Sequence, residues 1–289
     1  MKNSPPDSPP GSKPATRKPA NEPLIVPGDS FTLSETELFS QLPQALGPRL
    51  FLDHFTLDEM EVRLESSGFR AALCKRGVLK PRVEIQWVEP GEHRLLIYDD
   101  GGREPVKMVE LRLVQSRLEV PALPGHPPIS SYFEMLVINW AMLQNPRTVF
   151  SAERPRLPGQ EHPGLGLGRK CHEFLVNLAR ELQRDGLINH PQYFHNAIFY
   201  LDEYFFVDPL RQGELLAMAR DLSRYPVAVS SPAIAEGKLV DETRRISIEW
   251  RPGAMVCPVE ERLKSYFESR EYREAVQRAK ASHSYDLAQ

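Results

Sequence analysis

Residues 82–120 alternate between apolar and polar side chains, and this period of two constrains the fold more than any other feature of the chain. The run VEIQW at 83–87 shows the alternation, and VELRL at 109–113 repeats it. Between them, DDGG at 99–102 is a strong hairpin-turn signal. Alternation that places one apolar face on a core is typical of antiparallel strands. We therefore predict an antiparallel meander over these residues.

Helical periodicity appears on both sides of the meander. Upstream, Ser34 and Glu37 have the spacing of a capping box, and Thr56 is a candidate N-cap for a second helix. The strand-like run RRISIEW at 244–250 interrupts the helical pattern downstream. The predicted fold class is α+β, with a mainly antiparallel sheet flanked by helices. The downstream helices are predicted over 169–184, 195–206, 210–223 and 258–281.

Residues 131–144 carry a pattern that fits two structures. Phe133, Leu136, Val137 and Trp140 form a stripe at helical spacing, which favours a helix. A strand is the alternative, because β-branched and aromatic side chains also favour sheets. We predict a helix, ended by the Asn-Pro pair at 145–146.

Proline is concentrated at the start of the chain, where seven of the 27 prolines lie in the first 23 residues. Such a segment has too few large apolar side chains to offset its chain entropy. Residues 1–30 are therefore predicted to be a disordered, proline-rich tail. Residues 31–289 are predicted to form a single α+β domain, in which 31–80 either belongs to the sheet domain or caps it with helices.

Charge, cysteine content and hydropathy argue against several classes of protein. The net charge of −3 gives no basic field for nucleic acid or an anionic membrane. Cys74, Cys171 and Cys257 are too scattered for a disulfide framework or a zinc cluster. The most apolar stretch, at 133–143, is too short to span a bilayer, and the N-terminus lacks the apolar core of a signal peptide. We predict a cytoplasmic protein that neither binds nucleic acid nor spans a membrane.

The sequence GLGLGRK at 164–170 places three alternating glycines, Gly164, Gly166 and Gly168, before an amphipathic run. Glycine lets a ligand approach the backbone, and a helix start offers unpaired N–H groups and the positive end of the dipole. Together these features favour an anion such as phosphate, and Arg169 and Lys170 add positive charge. The spacing matches neither the dinucleotide fingerprint nor the P-loop. The alternative is a structural turn that holds no ligand.

Over roughly residues 82–206, the chain resembles the GNAT acyltransferases. GLGLGRK stands where that family has a Q/R-x-x-G-x-G/A loop, and the segment from Asn196 to Tyr200, followed by Phe205, stands where it has N-x-x-A-x-x-x-Y-x-x-x-G-F. This chain departs from the pattern, since no Gln or Arg lies three residues before Gly164 or Gly166. The spacing to Tyr200 is also shorter than in the family.

The resemblance implies an N-acyltransferase that uses acetyl-CoA or another acyl-CoA as co-substrate. The backbone amides of the glycine loop would hold the coenzyme A pyrophosphate, and Tyr200 would protonate the leaving thiolate. A small molecule or other amine would be the acceptor. Glu84, Glu110 or His195 is the candidate base that deprotonates it.

Two other functions are compatible with the sequence. The first is a non-catalytic binding or regulatory protein, with the proline-rich tail or the C-terminal helix as the surface for a protein partner. The second is a metal-dependent hydrolase that uses the clustered histidines, namely His162, His172, His190 and His195. No H-E-x-x-H motif is present, so we predict no metal site.

Overall fold

A seven-stranded, mainly antiparallel sheet is the centre of the computed structural model, which describes residues 50–89, 91–123 and 132–288. The strands of the described residues are β1 (Pro81–Glu89), β2 (Glu92–Asp99), β3 (Val106–Leu118), β4 (Phe133–Leu143), β5 (Gly186–Asn189), β6 (Phe205–Phe206), β7 (Leu239–Asp241), β8 (Ile246–Ile248), β9 (Met255–Pro258) and β10 (Tyr285–Leu287). The large sheet has the order β1-β2-β3-β4-β5-β9-β6, and a small sheet has the order β10-β7-β8. Within the large sheet, β4 and β5 are parallel and every other neighbouring pair is antiparallel.

Helices flank this sheet, which confirms the predicted fold class. They are α1 (Leu57–Ser66), α2 (Phe69–Lys75), α3 (Gly168–Glu181), α4 (Phe194–Ile198), α5 (Pro209–Asp221), α6 (Val227–Ala235), α7 (Glu261–Glu268) and α8 (Arg270–Ser282), with a short 3₁₀ turn at Leu222–Arg224. The predicted tail and the predicted helix after Ser34 lie outside the described residues. No helix of the described residues has the length and apolar character needed to cross a membrane.

The predicted meander is confirmed as β1, β2 and β3. Val83 pairs with Ile97, and Ile97 pairs with Val109, so the apolar positions of the three strands share one face. The DDGG turn lies between β2 and β3, as predicted. Its first residue, Asp99, is buried and accepts hydrogen bonds from the N–H groups of Lys80 (2.7 Å) and Gly101 (3.1 Å). These two hydrogen bonds to a buried carboxylate hold the turn in place.

Two cores lie on opposite faces of the sheet. On one face, α1, α2 and α3 pack against β1 to β4, and Phe69, Phe174 and Leu111 are among the buried residues. On the other face, α7 and α8 cover β4, β5 and β9, with Tyr266 in the centre of the aromatic contacts. Helices α1 and α2 therefore share a core with the sheet. Thr56 caps α1 as predicted, through a capping box with Glu59.

The helix predicted over 131–144 is wrong, because Phe133–Leu143 forms β4. This strand pairs antiparallel with β3 from Phe133↔Leu118 to Leu143↔Val109. Met135 and Val137 are buried in one core, and Leu136 is buried in the other. A central strand buried on both faces is apolar at successive positions, so a stripe at helical spacing arises without a helix.

Two further helix predictions are wrong in extent. The helix predicted over 195–206 ends at Ile198, and the carbonyl of Tyr200 then accepts N–H groups from Glu203 (3.0 Å) and Tyr204 (2.9 Å) in a turn. The helix predicted over 258–281 is interrupted at Ser269, whose ψ of 147° is extended and whose Oγ accepts from the N–H of Tyr272 (3.3 Å). This break allows side chains from both α7 and α8 to enter one aromatic core.

The remaining downstream predictions agree with the structure. The helix over 169–184 is found as α3, and its apolar stripe is buried as expected. The helix over 210–223 is found as α5, where Asp208 is the N-cap and Pro209 opens the helix. The strand over 244–250 is found as the shorter β8.

Helices α5 and α8 approach each other closely at Gly213. A Cβ on this residue would lie 2.4 Å from the Cβ of Ala279 and 2.6 Å from the carbonyl oxygen of Val276. We expect Gly213→Ala to lower the free energy of unfolding by about 1–3 kcal/mol, because the added methyl group overpacks the contact. Urea denaturation measures this change.

The matched control is Gly164→Ala, where the nearest atom to the new Cβ is the carbonyl oxygen of Leu143 at 3.8 Å. We expect that variant to be as stable as the unmodified protein within about 0.5 kcal/mol. Equal stability of the two variants would show that the helices do not touch at Gly213.

Candidate functional site

The glycine ladder, residues 164–168, begins at the carboxyl end of β4. There the N–H of Asn145 donates to the carbonyl of Pro163 (2.9 Å), and the N–H of Leu165 donates to the carbonyl of Leu143 (2.9 Å). These two bonds form a short antiparallel bridge. Residues 144–163 separate β4 from the ladder in the sequence; the chain returns to the end of β4 at Gly164, enters α3 and then leads to β5, the parallel neighbour of β4.

Burial alternates along the ladder. Leu165 and Leu167 are 3% and 6% exposed and belong to the core beneath the helices, whereas Gly166 is exposed and has a φ of +67°. The leucines therefore fix the loop in place, and the glycines leave its outer side without side chains. This arrangement explains why glycine occupies every second position.

Backbone amides from Gly166 into the first turn of α3 have no hydrogen-bond partner among the described residues. Leu167 is the N-cap of α3 and provides no side-chain cap, and the first turn of the helix contains no acidic residue. Within the described part of the chain, nothing accepts a hydrogen bond from the N–H groups of residues 166–170. Free amides at the positive end of a helix form a site that favours an anion.

Positive side chains surround these amides. The guanidinium of Arg76 lies 3.3 Å from the place where a Cβ on Gly166 would be. Lys170 pairs with Glu173 (2.9 Å), but neither Arg76 nor Arg169 has an ion-pair partner among the described residues. Cations at the positive end of a helix dipole are unfavourable on their own, and a bound anion would neutralise them. The predicted residues Gly166, Gly168, Arg169 and Lys170 thus lie together at one helix start that favours an anion, and Gly164 lies before it, in the bridge to the end of β4.

The sheet opens beside the ladder. Parallel pairing of β4 with β5 ends at Ile138↔Asn189, and the next residue, Asn139, is bulged, because Arg112 pairs with Trp140 whereas Leu113 pairs with Ile138. Residues 139–141 are exposed after the bulge. The carboxyl ends of parallel strands, where neighbours part, are common ligand sites, and bulges are frequent beside active sites.

Tyr200 follows β5 in the sequence, and its side chain lies close to the start of α3. A Cβ on Gly168 would lie 2.7 Å from the hydroxyl of Tyr200. Burial raises the pKa of Tyr200 to about 12, so the hydroxyl is protonated. It has no hydrogen-bond partner among the described residues. The structure therefore brings two separate sequence predictions, the ladder and Tyr200, to one place.

His172 and Glu203 complete the surroundings of Tyr200. The ring of His172 contacts that of Tyr200 at a centroid distance of 5.7 Å, and its Nδ1 lies 3.4 Å from Oε2 of Glu203. Burial lowers the pKa of His172, although the nearby Glu203 opposes this shift. Its Nε2 is buried without a partner in the described structure. The sequence analysis did not predict that His172 and Glu203 lie at the site. The sequence does contain one indication for His172, because this residue follows Gly168 by four positions and so lies on the same face of the helix.

His195 lies in a different environment. Its Nδ1 is 2.8 Å from Oγ of Ser231 in α6, and its ring stacks on Tyr193. The side chain is 4% exposed, and burial lowers its pKa to about 4. The contacts of His195 are with α6 and its own segment, so the structure does not bring it to the ladder.

Glu110, the other predicted base that is buried, forms its ion pairs along its own strand. Burial opposes its ionisation, but hydrogen bonds from Lys107 and Arg112 outweigh burial and hold its pKa below the ordinary value. Glu84 is likewise paired, with Arg82. Both carboxylates are already engaged by cations.

The four histidines named for a metal site do not converge. Across the described ranges, no group of three or more His, Cys, Asp or Glu side chains is arranged to hold a metal ion. His162 lies before the ladder, where its N–H donates to Oε1 of Gln144 (3.0 Å), while His172 and His195 have the separate contacts described above. The metal-dependent hydrolase gains no support from this geometry.

Comparison with known proteins gives little further guidance. No family model matches the chain, and no curated protein matches it. The crystal structure of a KacTA–DNA complex is similar over 48% of this chain and 67% of that chain, with 10% sequence identity and a TM-score of 0.26. Similarity at this TM-score supports neither a shared fold nor a shared ligand.

The buried His195 makes stability depend on pH. Its pKa of about 4 in the folded protein is below the ordinary value of 6.5, so the unfolded chain binds a proton first as the pH falls. The free energy of unfolding therefore decreases between pH 6.5 and 4, by up to about 1.4 kcal/mol per pH unit from this group. We expect His195→Gln to flatten that decrease in urea denaturation series. An unchanged slope would show that His195 is accessible to protons in the folded protein.

The contact between Gly168 and Tyr200 is testable by a double-mutant cycle. We expect Gly168→Ala to destabilise the protein, because the new methyl group meets the Tyr200 hydroxyl. In the Tyr200→Phe background the nearest ring atom, Cζ, lies 3.8 Å away, so the same change is tolerated. A coupling free energy of about 1–2 kcal/mol from urea denaturation is expected. Additive effects would place the two residues apart.

Proposed function

We propose that the protein is an acyl-CoA-dependent acyltransferase whose glycine ladder holds the pyrophosphate of coenzyme A. The observation that carries this proposal is the set of amides at residues 166–170 and the guanidinium groups of Arg76 and Arg169, none of which has a partner among the described residues. A pyrophosphate has two negative charges or more and many acceptor oxygens, which suits both the amides and the cations. The resemblance of the loop to the GNAT acyltransferases supports the choice of coenzyme A among phosphate-bearing ligands.

The unpaired edge of β4 beyond its pairing with β5 is where we place the rest of the ligand. On the edge of β4 that faces β5, residues 135–138 pair with β5, and the residues at the end of the strand pair with the segment around Gly164. The residues between these two pairings have no strand partner on that edge among the described residues. The pantetheine arm of coenzyme A contains two amides, which suit an unpaired strand edge. In this arrangement the pyrophosphate lies at the ladder, beside the C-terminal end of β4. The thioester lies back toward the middle of that strand, near the bulge at Asn139.

The reaction transfers an acyl group to an amine. The amine nitrogen bonds to the thioester carbonyl carbon, the carbon–sulfur bond breaks, the amine loses a proton, and the thiolate gains one. Glu84, Glu110 and His195 remain the predicted bases, and Tyr200 remains the predicted acid. An amine acceptor and a cytoplasmic location also stay predictions.

The rival function, a binding or regulatory protein with a structural glycine turn, requires the amides of the ladder to be capped within the protein. The described residues provide no such cap. The anion-binding arrangement therefore favours the acyltransferase over this rival. A protein partner on the C-terminal helix is compatible with either function.

Calorimetric titration of acetyl-CoA tests the proposal. We expect saturable binding to the unmodified protein and at least a roughly tenfold loss of affinity in Gly166→Asp, because the carboxylate would face the phosphate oxygens. Gly164→Ala is the matched control and is expected to bind as the unmodified protein does. Absence of heat with a folded protein, or equal binding by Gly166→Asp, would contradict the proposal. A screen of amine acceptors with a thiol-release assay then tests catalysis.

A further inference from the structure

The position of the Tyr200 hydroxyl is informative about its role. It lies against Gly168, which is the first helical residue of α3 and one of the residues whose amides are free. In the proposed function, those amides bind the pyrophosphate. The hydroxyl is therefore at the phosphate end of the ligand.

The thioester is at the other end of the same molecule. The pantetheine arm between the phosphate and the sulfur is about as long as four extended residues, or roughly 14 Å. A proton donor must lie within hydrogen-bond reach of the atom that receives the proton. A hydroxyl fixed at Gly168 meets that requirement for a phosphate oxygen but not for the sulfur of an extended arm.

The surroundings of Tyr200 hold the hydroxyl in this position. Its ring contacts those of His172 and Tyr204, with centroid distances of 5.7 and 5.8 Å. A tyrosine hydroxyl is protonated near neutral pH, burial raises the pKa of Tyr200 further, to about 12, and no described group accepts its hydrogen. A protonated, fixed and unpartnered donor suits a phosphate oxygen, and it adds no charge to the two guanidinium groups already present.

We propose that Tyr200 is a ligand of the coenzyme A pyrophosphate, acting together with the amides of α3, and not the acid that protonates the departing thiolate. This inference rests on the proposed function. In this role, Tyr200 contributes to the affinity for the phosphate-bearing part of the substrate. The proton for the thiolate then comes from another group or from water near the bulge in β4.

Three probes separate the two roles in Tyr200→Phe, which removes only the hydroxyl. They are acetyl-CoA, inorganic pyrophosphate, and S-acetylpantetheine, which has the thioester but no phosphate. We expect Tyr200→Phe to bind acetyl-CoA and pyrophosphate roughly tenfold more weakly, since one hydrogen bond to a charged group is lost. Its affinity for S-acetylpantetheine should equal that of the unmodified protein. Tyr204→Phe, in the same turn, is the control and should leave all three affinities unchanged.

The outcomes for the inference and for the proposed function are distinguishable. Unchanged pyrophosphate and acetyl-CoA affinities in Tyr200→Phe would overturn the inference, while acetyl-CoA binding by the unmodified protein would still support the transferase. Weaker pyrophosphate binding by the variant, with no acetyl-CoA binding by either protein, would support Tyr200 as a phosphate ligand and overturn coenzyme A as the substrate. If the unmodified protein binds neither probe, both are overturned.

Discussion

The parallel pairing of β4 with β5 is the contact on which the rest of the arrangement depends. Two parallel neighbours need a crossover connection, and here the crossover consists of residues 144–163, the ladder and α3. The crossover fixes the N-terminus of α3 at the carboxyl edge of β4. Gly186 is the first residue of β5, and a Cβ there would lie 2.5 Å from the carbonyl oxygen of Cys257 on β9 and 3.0 Å from Cε of Met135 on β4. The strand β5 is thus fitted between β4 and β9 with no space for a side chain at that residue.

The charges at the start of α3 are unfavourable for the stability of the helix on its own. Helices usually carry acidic side chains in the first turn, but α3 has Arg169 and Lys170 there, with Arg76 nearby. Elsewhere in the described structure, the same sequence pairs its charges closely, as Asp185 does with Arg262. Natural proteins depart from local rules mainly at functional sites. The unbalanced charge of α3 therefore distinguishes this helix end from the capped starts of α1 and α5.

The sequence was sufficient where one local pattern determined the structure. The meander followed from a period of two with a Gly-rich turn, and α3 followed from its apolar stripe. The sequence was insufficient where pairing between distant segments determined the structure. Phe133–Leu143 became a strand because β3 and β5 pair with it on either side, and neither partner is visible in the residues themselves. The proximity of Tyr200 to Gly168 likewise depends on sheet order. The glycines, Arg169 and Lys170 were therefore predictable, whereas the placement of Arg76, Tyr200, His172 and Glu203 beside them required the fold.

The alternation of buried leucines and bare glycines has a consequence for the energetics of binding. A flexible glycine loop loses conformational entropy when it closes on a ligand, and that loss weakens binding. Leu165 and Leu167 are buried in the core, which restrains the ladder before a ligand arrives. A ligand that binds these amides would meet a rigid, preorganised surface. Its affinity would then reflect the strength of the hydrogen bonds themselves, with little opposing cost from ordering the loop.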